Sequence, residues 1–151
     1  MTSLEIVDLP ADRLPGDALV VPLFEDQRPL DGPAAVVDWR MDGVLTRMLL
    51  DGELSGKRGE CLALRSNHKF AAPWVLVAGA GKWPLLDRTS YVGLVGRLLK
   101  MAAKAGIGEL ALCLPPVEDA NSDELARIVS TAMVGSLHPD LCRLSRVARF
   151  G

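Results

Sequence analysis

Two nearly uninterrupted apolar runs stand out in the pattern of hydrophobic and polar positions along the chain. They cover residues 18–24 and 73–78. A strand with one wet face alternates apolar and polar residues, whereas a strand buried on both faces does not. Both runs are therefore predicted to be buried strands, the first of them central in its sheet. Further strands are predicted at residues 4–9, 60–65 and 109–114.

Helical spacing of apolar residues predicts a first helix after the central strand. Asp31-Gly32-Pro33 supplies a capping residue and a proline suited to a first helical turn. The apolar positions that follow at helical spacing are Ala34, Val37, Met41, Leu45 and Met48. Gly43 is placed to split this helix, and Gly52 is its predicted stop signal.

Two more helices are predicted in the second half of the chain. One is capped by Thr89 or Ser90 and carries an apolar stripe on one side. The other follows Asn121 and Glu124, whose three-residue spacing is that of a capping box. The tail, residues 141–150, fits either an edge strand or a continued helix.

The order of these elements predicts the fold class. Strands that alternate with helices form a largely parallel sheet with helices on both faces. We therefore predict a three-layer α/β/α sandwich with a mixed, largely parallel sheet. A length of 151 residues is the usual size of one domain, so residues 1–151 are interpreted as a single domain.

Composition and charge narrow the classes of function. Apolar residues make up 49% and charged residues 24%, which is typical of a folded soluble protein. The net charge of -2 provides no long-range field to gather nucleic acid or anionic lipid, so neither is an expected partner. No apolar run approaches the roughly 18 residues that span a bilayer, and the first residues lack the pattern of a secretory signal. A cytoplasmic location is expected.

The glycine-rich segment Gly79-Ala80-Gly81-Lys82 is the first candidate for binding chemistry. Glycines let backbone N–H groups approach an anion, and the start of a nearby helix favours negative charge. A nucleotide-triphosphatase loop needs a glycine where Leu76 stands and a Ser or Thr where Trp83 stands. A dinucleotide fingerprint needs a glycine at Pro84. A phosphate-binding loop and a tight turn after a buried strand both stay open.

Residues for catalysis or metal binding are sparse. His68 and His138 have no second ligand residue at metal-binding spacing. The carboxylates form no spaced pair with an adjacent base. The three cysteines lie in apolar segments, which predicts free, buried and unreactive thiols at Cys61, Cys113 and Cys142. The sequence therefore predicts no catalytic residue, no metal site and no cofactor.

Four stretches occur in a characteristic order. They are Asp17-Ala18-Leu19-Val20-Val21-Pro22-Leu23-Phe24, Leu30-Asp31-Gly32-Pro33-Ala34-Ala35-Val36-Val37-Asp38, Gly59-Glu60-Cys61 and Val75-Leu76-Val77-Ala78-Gly79-Ala80-Gly81-Lys82. Together they resemble the amino-terminal domain of leucyl aminopeptidases, over roughly residues 4–137. The resemblance implies the fold of macro domains, which are α/β/α modules that bind ADP-ribose.

The chain also departs from both related patterns. In leucyl aminopeptidases the metal ions and catalytic residues belong to a carboxy-terminal domain with an Asn-Thr-Asp-Ala-Glu-Gly-Arg segment, which these 151 residues do not contain. Macro domains that bind ADP-ribose usually have an Asn-Ala-Ala-Asn-like segment where this chain has Pro22-Leu23-Phe24-Glu25. The resemblance therefore implies neither peptidase activity by this chain alone nor ADP-ribose hydrolysis.

The leading hypothesis is a free-standing, non-catalytic relative of the aminopeptidase amino-terminal domain that acts in protein assembly or regulation. Its expected partner is a second copy of itself or a full-length aminopeptidase. One alternative is the non-catalytic part of a split aminopeptidase, completed by a second chain.

A second alternative is a small-ligand module for a nucleotide or an ADP-ribose-like, phosphate-bearing molecule. Parallel strands would form its crevice at their carboxyl ends. Asp17 would accept a hydrogen bond from a base or sugar, backbone N–H groups would hold phosphate, and Lys82 would neutralise its charge. The tentative site residues are Asp17, Asp31, Gly32, Gly79, Ala80, Gly81 and Lys82.

Overall fold

The computed structural model describes residues 3–83, 87–115, 122–134 and 139–145. Helices and strands alternate along most of this length, as the sequence predicts. In chain order they are β1 Ser3–Val7, a short 3₁₀ helix Ala11–Arg13, β2 Ala18–Phe24, α1 Gly32–Arg40, α2 Val44–Leu50, β3 Cys61–Arg65, β4 Trp74–Gly81, α3 Arg88–Lys104, β5 Glu109–Leu112, α4 Ser122–Met133 and β6 Leu141–Ser145.

The strands form one six-stranded sheet in the order β1-β6-β5-β2-β4-β3. Each neighbouring pair is parallel except β3 and β4, which are antiparallel. The antiparallel pair follows from the chain path, because a short connection after β3 leads directly back along it as β4. The predicted mixed, largely parallel sheet is confirmed.

Strand β2 lies inside the sheet and is buried along all seven residues. Its side chains alternate between two hydrophobic cores. Ala18, Val20 and Phe24 join a core that includes residues of α3 and α4. Leu19, Val21 and Leu23 join a second core with residues of α1 and α2. Helices therefore cover both faces of the sheet, and the predicted three-layer architecture is confirmed.

The first predicted helix is divided as its glycine indicates. Gly43 adopts a φ of +77° between α1 and α2, a left-handed backbone conformation that favours glycine. Asp31 caps α1, and its Oδ1 accepts a hydrogen bond from the N–H of Gly32 at 2.8 Å. The cap of α3 is Asp87, whose Oδ1 accepts from the N–H of Ser90 at 2.7 Å. The expected cap at Thr89 or Ser90 was wrong, because a carboxylate just upstream reaches the same amide.

Two further expectations were wrong. The tail forms a strand, but β6 is not an edge strand, since β1 pairs with its outer side and Cys142 and Leu144 are buried. Cys61 is exposed rather than buried. It lies on β3, an edge strand on which Cys61, Ala63 and Arg65 are all exposed. Asn121, His138 and residues 146–150, also considered above, lie outside the described residues.

The glycine-rich segment is not a loop. Gly79, Ala80 and Gly81 belong to β4, and the strand ends only at Gly81. The backbone of the segment before β3 crosses directly over this end of the strand. A Cβ added at Gly79 would lie 1.8 Å from the carbonyl oxygen of Lys57, so no other residue fits without moving that backbone.

We predict that Gly79→Ala lowers the free energy of unfolding by about 3 kcal/mol, because the added methyl group overlaps backbone that cannot rotate away. Chemical denaturation measures the change. Gly93→Ala is the matched control: it lies in α3, and its added Cβ would have the Arg97 guanidinium 3.7 Å away as its nearest contact. This control should stabilise the protein by about 0.5–1 kcal/mol through helix propensity. Equal effects of the two variants would contradict the close approach at Gly79.

Candidate functional site

The carboxyl ends of three neighbouring parallel strands meet at one edge of the sheet. β2 ends at Phe24, β4 at Gly81 and β5 at Leu112. Helices α1 and α3 begin after the first two of these strands, so their amino ends follow the same edge. Open α/β sheets usually bind ligands there, which makes this edge the first place to compare with the predicted site.

An aromatic cluster occupies part of this edge. Trp83 stacks edge-to-face on Phe24, with ring centroids 5.0 Å apart, and on Tyr91, with centroids 6.5 Å apart. The hydroxyl of Tyr91 donates to the carbonyl oxygen of Pro115 at 2.5 Å. Burial raises the pKa of Tyr91, and the charge of a Cys113 thiolate would raise it further, so the phenol stays a neutral donor. The cluster ties the ends of β2, β4 and β5 to the start of α3.

The backbone of the glycine-rich segment already has partners. The N–H of Gly79 donates to the carbonyl oxygen of Glu60 at 2.8 Å, and the N–H of Gly81 donates to that of Gly56 at 2.9 Å. The carbonyl oxygen of Gly81 accepts from the N–H of Glu25 at 3.0 Å. These two amides are therefore not open to a phosphate group, contrary to their predicted role. Ala80 is buried in the core, whereas Lys82 is exposed.

Asp31 and Gly32 lie at the same edge as Lys82. A Cβ added at Gly32 would be 3.8 Å from that of Pro115, which follows β5, and Gly32 has a φ of +60°. The Asp31 carboxylate caps α1 by accepting a hydrogen bond from the N–H of Gly32. Both residues are thus near the carboxyl edge, and both have a local structural role.

Asp17 lies at the opposite end of the sheet. It precedes β2 and forms two hydrogen bonds with Glu109, the first residue of β5. Its N–H donates to the Glu109 carbonyl at 2.7 Å, and its Oδ2 accepts from the Glu109 N–H at 2.9 Å. The length of β2, about 20 Å for seven residues, separates Asp17 from the carboxyl edge. Placing it in one site with Lys82 was wrong, since a residue preceding a strand lies at the strand's amino end.

A polar loop, residues 55–60, folds over the end of β4. The Glu60 carboxylate holds it, accepting from the N–H and the hydroxyl of Ser55 at 3.0 and 2.6 Å and from the N–H of Gly56 at 2.6 Å. Burial alone would raise the pKa of Glu60, but the hydrogen bonds from Ser55, Gly56 and Lys57 outweigh it and lower that pKa. The loop is therefore anchored by a charged side chain as well as by β4.

Sequence reasoning missed two arginines near this loop. Arg58 lies in the loop and packs against Gly81, while Arg97 lies on α3, one turn after Gly93. Arg58 follows Lys57 in the chain, Arg97 has no charged residue next to it, and neither arginine belongs to a motif. The signal in the sequence was the presence of Gly81 and Gly93, because a glycine leaves room for a long side chain to lie against the backbone.

The described residues show no group of three or more His, Cys, Asp or Glu side chains that could hold a metal ion. Nor is any helix within the described ranges long and apolar enough to cross a membrane. Burial raises the pKa of the Cys142 thiol to about 12. Burial raises the pKa of the Cys113 thiol to about 12 as well, despite a side-chain hydrogen bond with Ser145 that acts in the opposite direction.

A second candidate surface lies on the outer side of α1 and α2. Trp39 is 77% exposed and Leu50 is 83% exposed. Beside Trp39 is an open cavity of about 420 Å³. It is lined by Pro29, Leu30, Ala35, Asp38, Trp39, Asp42, Gly43 and Thr46. Thr46 and Leu50 are four residues apart on α2 and so share a helix face. We call these lining residues and Leu50 the α1–α2 surface.

Comparison with known proteins shows which family this chain belongs to. Residues 20–140 match the model of the cytosol aminopeptidase family, N-terminal domain. The chain belongs to this family. A probable cytosol aminopeptidase from Methylobacillus flagellatus is 32% identical over 118 residues, which is 78% of this chain and 24% of the relative. One from Idiomarina loihiensis is 36% identical over 95 residues, 63% of this chain and 19% of the relative. The chain thus spans about a quarter or less of the length of these relatives.

Solved structures show the same fold in two settings. A tomato leucine aminopeptidase mutant matches all of this chain with a TM-score of 0.71 and 18% identity, over 33% of its own length. The macrodomain of Thermus aquaticus DarG matches 96% of this chain with a TM-score of 0.66 and 12% identity, over 99% of its own length. A Trypanosoma brucei macrodomain solved with ADP-ribose matches 94% of this chain, also with a TM-score of 0.66, at 17% identity and over 62% of its own length. The expected aminopeptidase N-terminal domain with a macro-like fold is confirmed.

We predict that the Glu60 carboxylate stabilises the fold in a pH-dependent way. Its pKa is lowered in the folded state, so its contribution is present above its ordinary value of 4.5 and is lost as the pH falls through the lower folded value. Unfolding free energies of the native protein and of Glu60→Gln should differ by about 1 kcal/mol at pH 7. That difference should shrink below pH 4.5. Glu53→Gln, an exposed carboxylate of the preceding turn, is the control. A difference independent of pH would contradict the role of the charge.

We predict that one of the three thiols reacts quickly with a disulfide reagent in the folded protein. Partial burial raises the pKa of Cys61, but its side chain is exposed and reachable. Cys113 and Cys142 are buried and hold their protons at neutral pH. Absorbance during reaction with the reagent counts the thiols. Cys61→Ser should abolish the fast phase, and a fast phase that survives this change would contradict the assignment.

Proposed function

We propose that this domain has no chemistry of its own and acts in cytoplasmic protein assembly, by pairing with a second copy of this chain through the α1–α2 surface. The observation that carries the proposal is Trp39, a large aromatic side chain that is 77% exposed beside an open cavity. Contact sites between proteins commonly centre on such aromatic anchors.

The energetics favour covering this side chain. Removing most of a tryptophan side chain from water stabilises a complex by about 3 kcal/mol, at about 25 cal/mol per Å² of apolar surface. Leu50 adds a second exposed apolar group, 83% accessible, on the helix face of Thr46. These groups together would form the centre of an interface of ordinary size.

The shape of the surface favours a second copy as the partner. A two-fold contact requires a patch that is complementary to itself, and here a protruding Trp39 stands next to a cavity on the same patch. Each copy could therefore place its tryptophan in the cavity of the other. The cavity has a volume of about 420 Å³, which is large enough to hold the indole ring of a tryptophan side chain.

The charges around the patch are also self-complementary. Asp42 is exposed, and its carboxylate forms a surface ion pair with the Lys69 ammonium group at 2.9 Å. Arg47 supplies an exposed positive charge on α2. Asp38 lies at the cavity wall and holds the start of α2, since its carboxylate accepts from the N–H and hydroxyl of Thr46. A rim with both signs of charge around an apolar centre is the usual anatomy of a protein interface.

A small-ligand role is the second candidate. The observation that favours it is the fold shared with a Trypanosoma brucei macrodomain solved with ADP-ribose. Asp31, Gly32 and Lys82 lie at the carboxyl edge where such a ligand would bind. Against it stand the aromatic cluster at that edge and the glycine amides that already have partners.

We predict that the protein self-associates and that Trp39→Ser weakens the dimer about 100-fold, as loss of an interface anchor does. Sedimentation velocity over a range of concentrations measures the dissociation constant. Trp74→Ser is the matched control, because Trp74 is 41% exposed at the start of β4 and shares the face of Leu76, which packs in the core opposite to α1 and α2. It should leave the dimer unchanged.

Two results would overturn this proposal. A protein that stays monomeric at millimolar concentration has no such dimer, and the surface would then belong to another partner, such as an aminopeptidase chain. A dimer that tolerates Trp39→Ser and Leu50→Ser forms through a different surface. Circular dichroism of each variant confirms that the fold is intact.

A further inference from the structure

Two arginines from different elements each lie against a glycine, one at the carboxyl end of β4 and one on α3, and the Trp83–Tyr91 ring contact joins these two segments. Arg58 lies over the end of the strand: a Cβ added at Gly81 would be 3.4 Å from its Cγ and 3.5 Å from its Nε. Arg97 extends from α3 back toward Gly93, where an added Cβ would be 3.7 Å from its Nη1. The two glycines thus leave space in which both guanidinium groups lie against backbone.

The positive charges of the Arg58 and Arg97 guanidinium groups repel each other. Burial lowers the pKa of Arg97, and the positive charge of Arg58 lowers it further. Among the described residues, Arg40, Arg88, Arg127 and Arg143 each pair with a carboxylate. Neither Arg58 nor Arg97 has such a partner within the described ranges. The pair therefore holds concentrated positive charge that no described side chain neutralises.

The backbone that carries Arg58 is fixed. The carbonyl oxygen of Lys57 approaches Gly79 closely, and the N–H of Gly81 binds the carbonyl oxygen of Gly56. The Glu60 carboxylate anchors the preceding residues, Ser55 and Gly56. Arg97 extends from the middle of a 17-residue helix. A ligand that uses both side chains would therefore need little ordering of the backbone, which favours affinity.

We propose that Arg58 and Arg97 form an anion site that binds a phosphate group. Guanidinium groups hold phosphate through paired, charge-assisted hydrogen bonds, and both side chains are exposed to an incoming ligand. Lys82 follows Gly81 directly in the chain and is also exposed. Two acidic residues lie at the same end of β4: Asp26 accepts a hydrogen bond from the N–H of Trp83 at 3.0 Å, and the N–H of Glu25 donates to the carbonyl oxygen of Gly81. Their charges oppose an anion, so the two guanidinium groups have to outweigh them.

This site is independent of the proposed dimer, and it rests on the same carboxyl edge as the small-ligand candidate, whose ligand it narrows to a phosphate-bearing molecule. It uses no residue of the α1–α2 surface, and it needs neither a free glycine amide nor Asp17. It can therefore exist whether or not the protein dimerises. Inorganic pyrophosphate and a nucleotide share the chemistry it recognises, so a titration has to compare them.

The test is isothermal titration of the full chain with inorganic pyrophosphate at fixed ionic strength. We predict saturable binding, weakened at least tenfold by Arg58→Gln and by Arg97→Gln and lost in the double variant. Arg13→Gln is the matched control, since Arg13 is an exposed arginine of the short 3₁₀ helix that precedes β2. It should bind like the native protein. Arg97→Lys keeps the charge without the planar fork and should give an intermediate affinity.

Parallel titrations with ADP and ADP-ribose identify the form of the ligand. Tighter binding that still depends on Arg58 and Arg97 assigns the site to the phosphates of a nucleotide. Absence of saturable pyrophosphate binding at ten millimolar would overturn the proposal, and so would equal affinity in the native protein and the double variant. Thermal unfolding without ligand checks that the variants fold. Removal of one charge should leave the melting temperature unchanged or raise it, because the repulsion between the pair disappears.

Discussion

The fold depends on one strand that is buried on both faces. All seven residues of β2 are inaccessible, and their side chains alternate between two hydrophobic cores. A strand in this position needs helices above and below the sheet, and it needs neighbouring strands on both edges. Strands β4 and β5 provide those neighbours, and both run parallel to β2. The carboxyl edge and the separation of α1–α2 from α3–α4 follow from this arrangement.

The same burial explains why much of the fold was predictable. Long apolar runs identify buried strands, and helical spacing identified α1, α2 and α3 together with the break at Gly43. What the pattern did not contain was the order of strands. Nothing local in residues 141–145 indicates that β1 will pair with them from the outside, because that contact joins the two ends of the chain. Strand pairings between distant segments depend on the topology of the whole sheet, and the local pattern of apolar residues does not specify that topology.

The candidate site was less predictable, for a physical reason. A glycine-rich segment predicts backbone donors for a ligand, but a glycine is equally favourable wherever two backbones approach each other. At Gly79 the approaching group is the Lys57 carbonyl, and the N–H of Gly79 donates to the backbone carbonyl oxygen of Glu60. The sequence contains the requirement for a small residue but not the identity of the group that approaches it. Asp17 illustrates the related error: its place before a strand determined which end of the sheet it occupies, and that end faces away from Lys82.

The net charge of the chain and the local arrangement of its charges describe different properties of the protein. A net charge of -2 describes the field far from the protein, where opposite charges cancel. Close to the surface, what matters is which charges lack an opposite neighbour. Arg143 lies between Glu5 and Glu109, so its charge is neutralised locally, whereas neither Arg58 nor Arg97 pairs with a carboxylate among the described residues. An overall acidic protein can therefore hold a strongly positive site, provided that its carboxylates are engaged elsewhere. Here Glu60, Asp31 and Asp87 are engaged with backbone amides, which leaves the arginine pair free to attract an anion from solution.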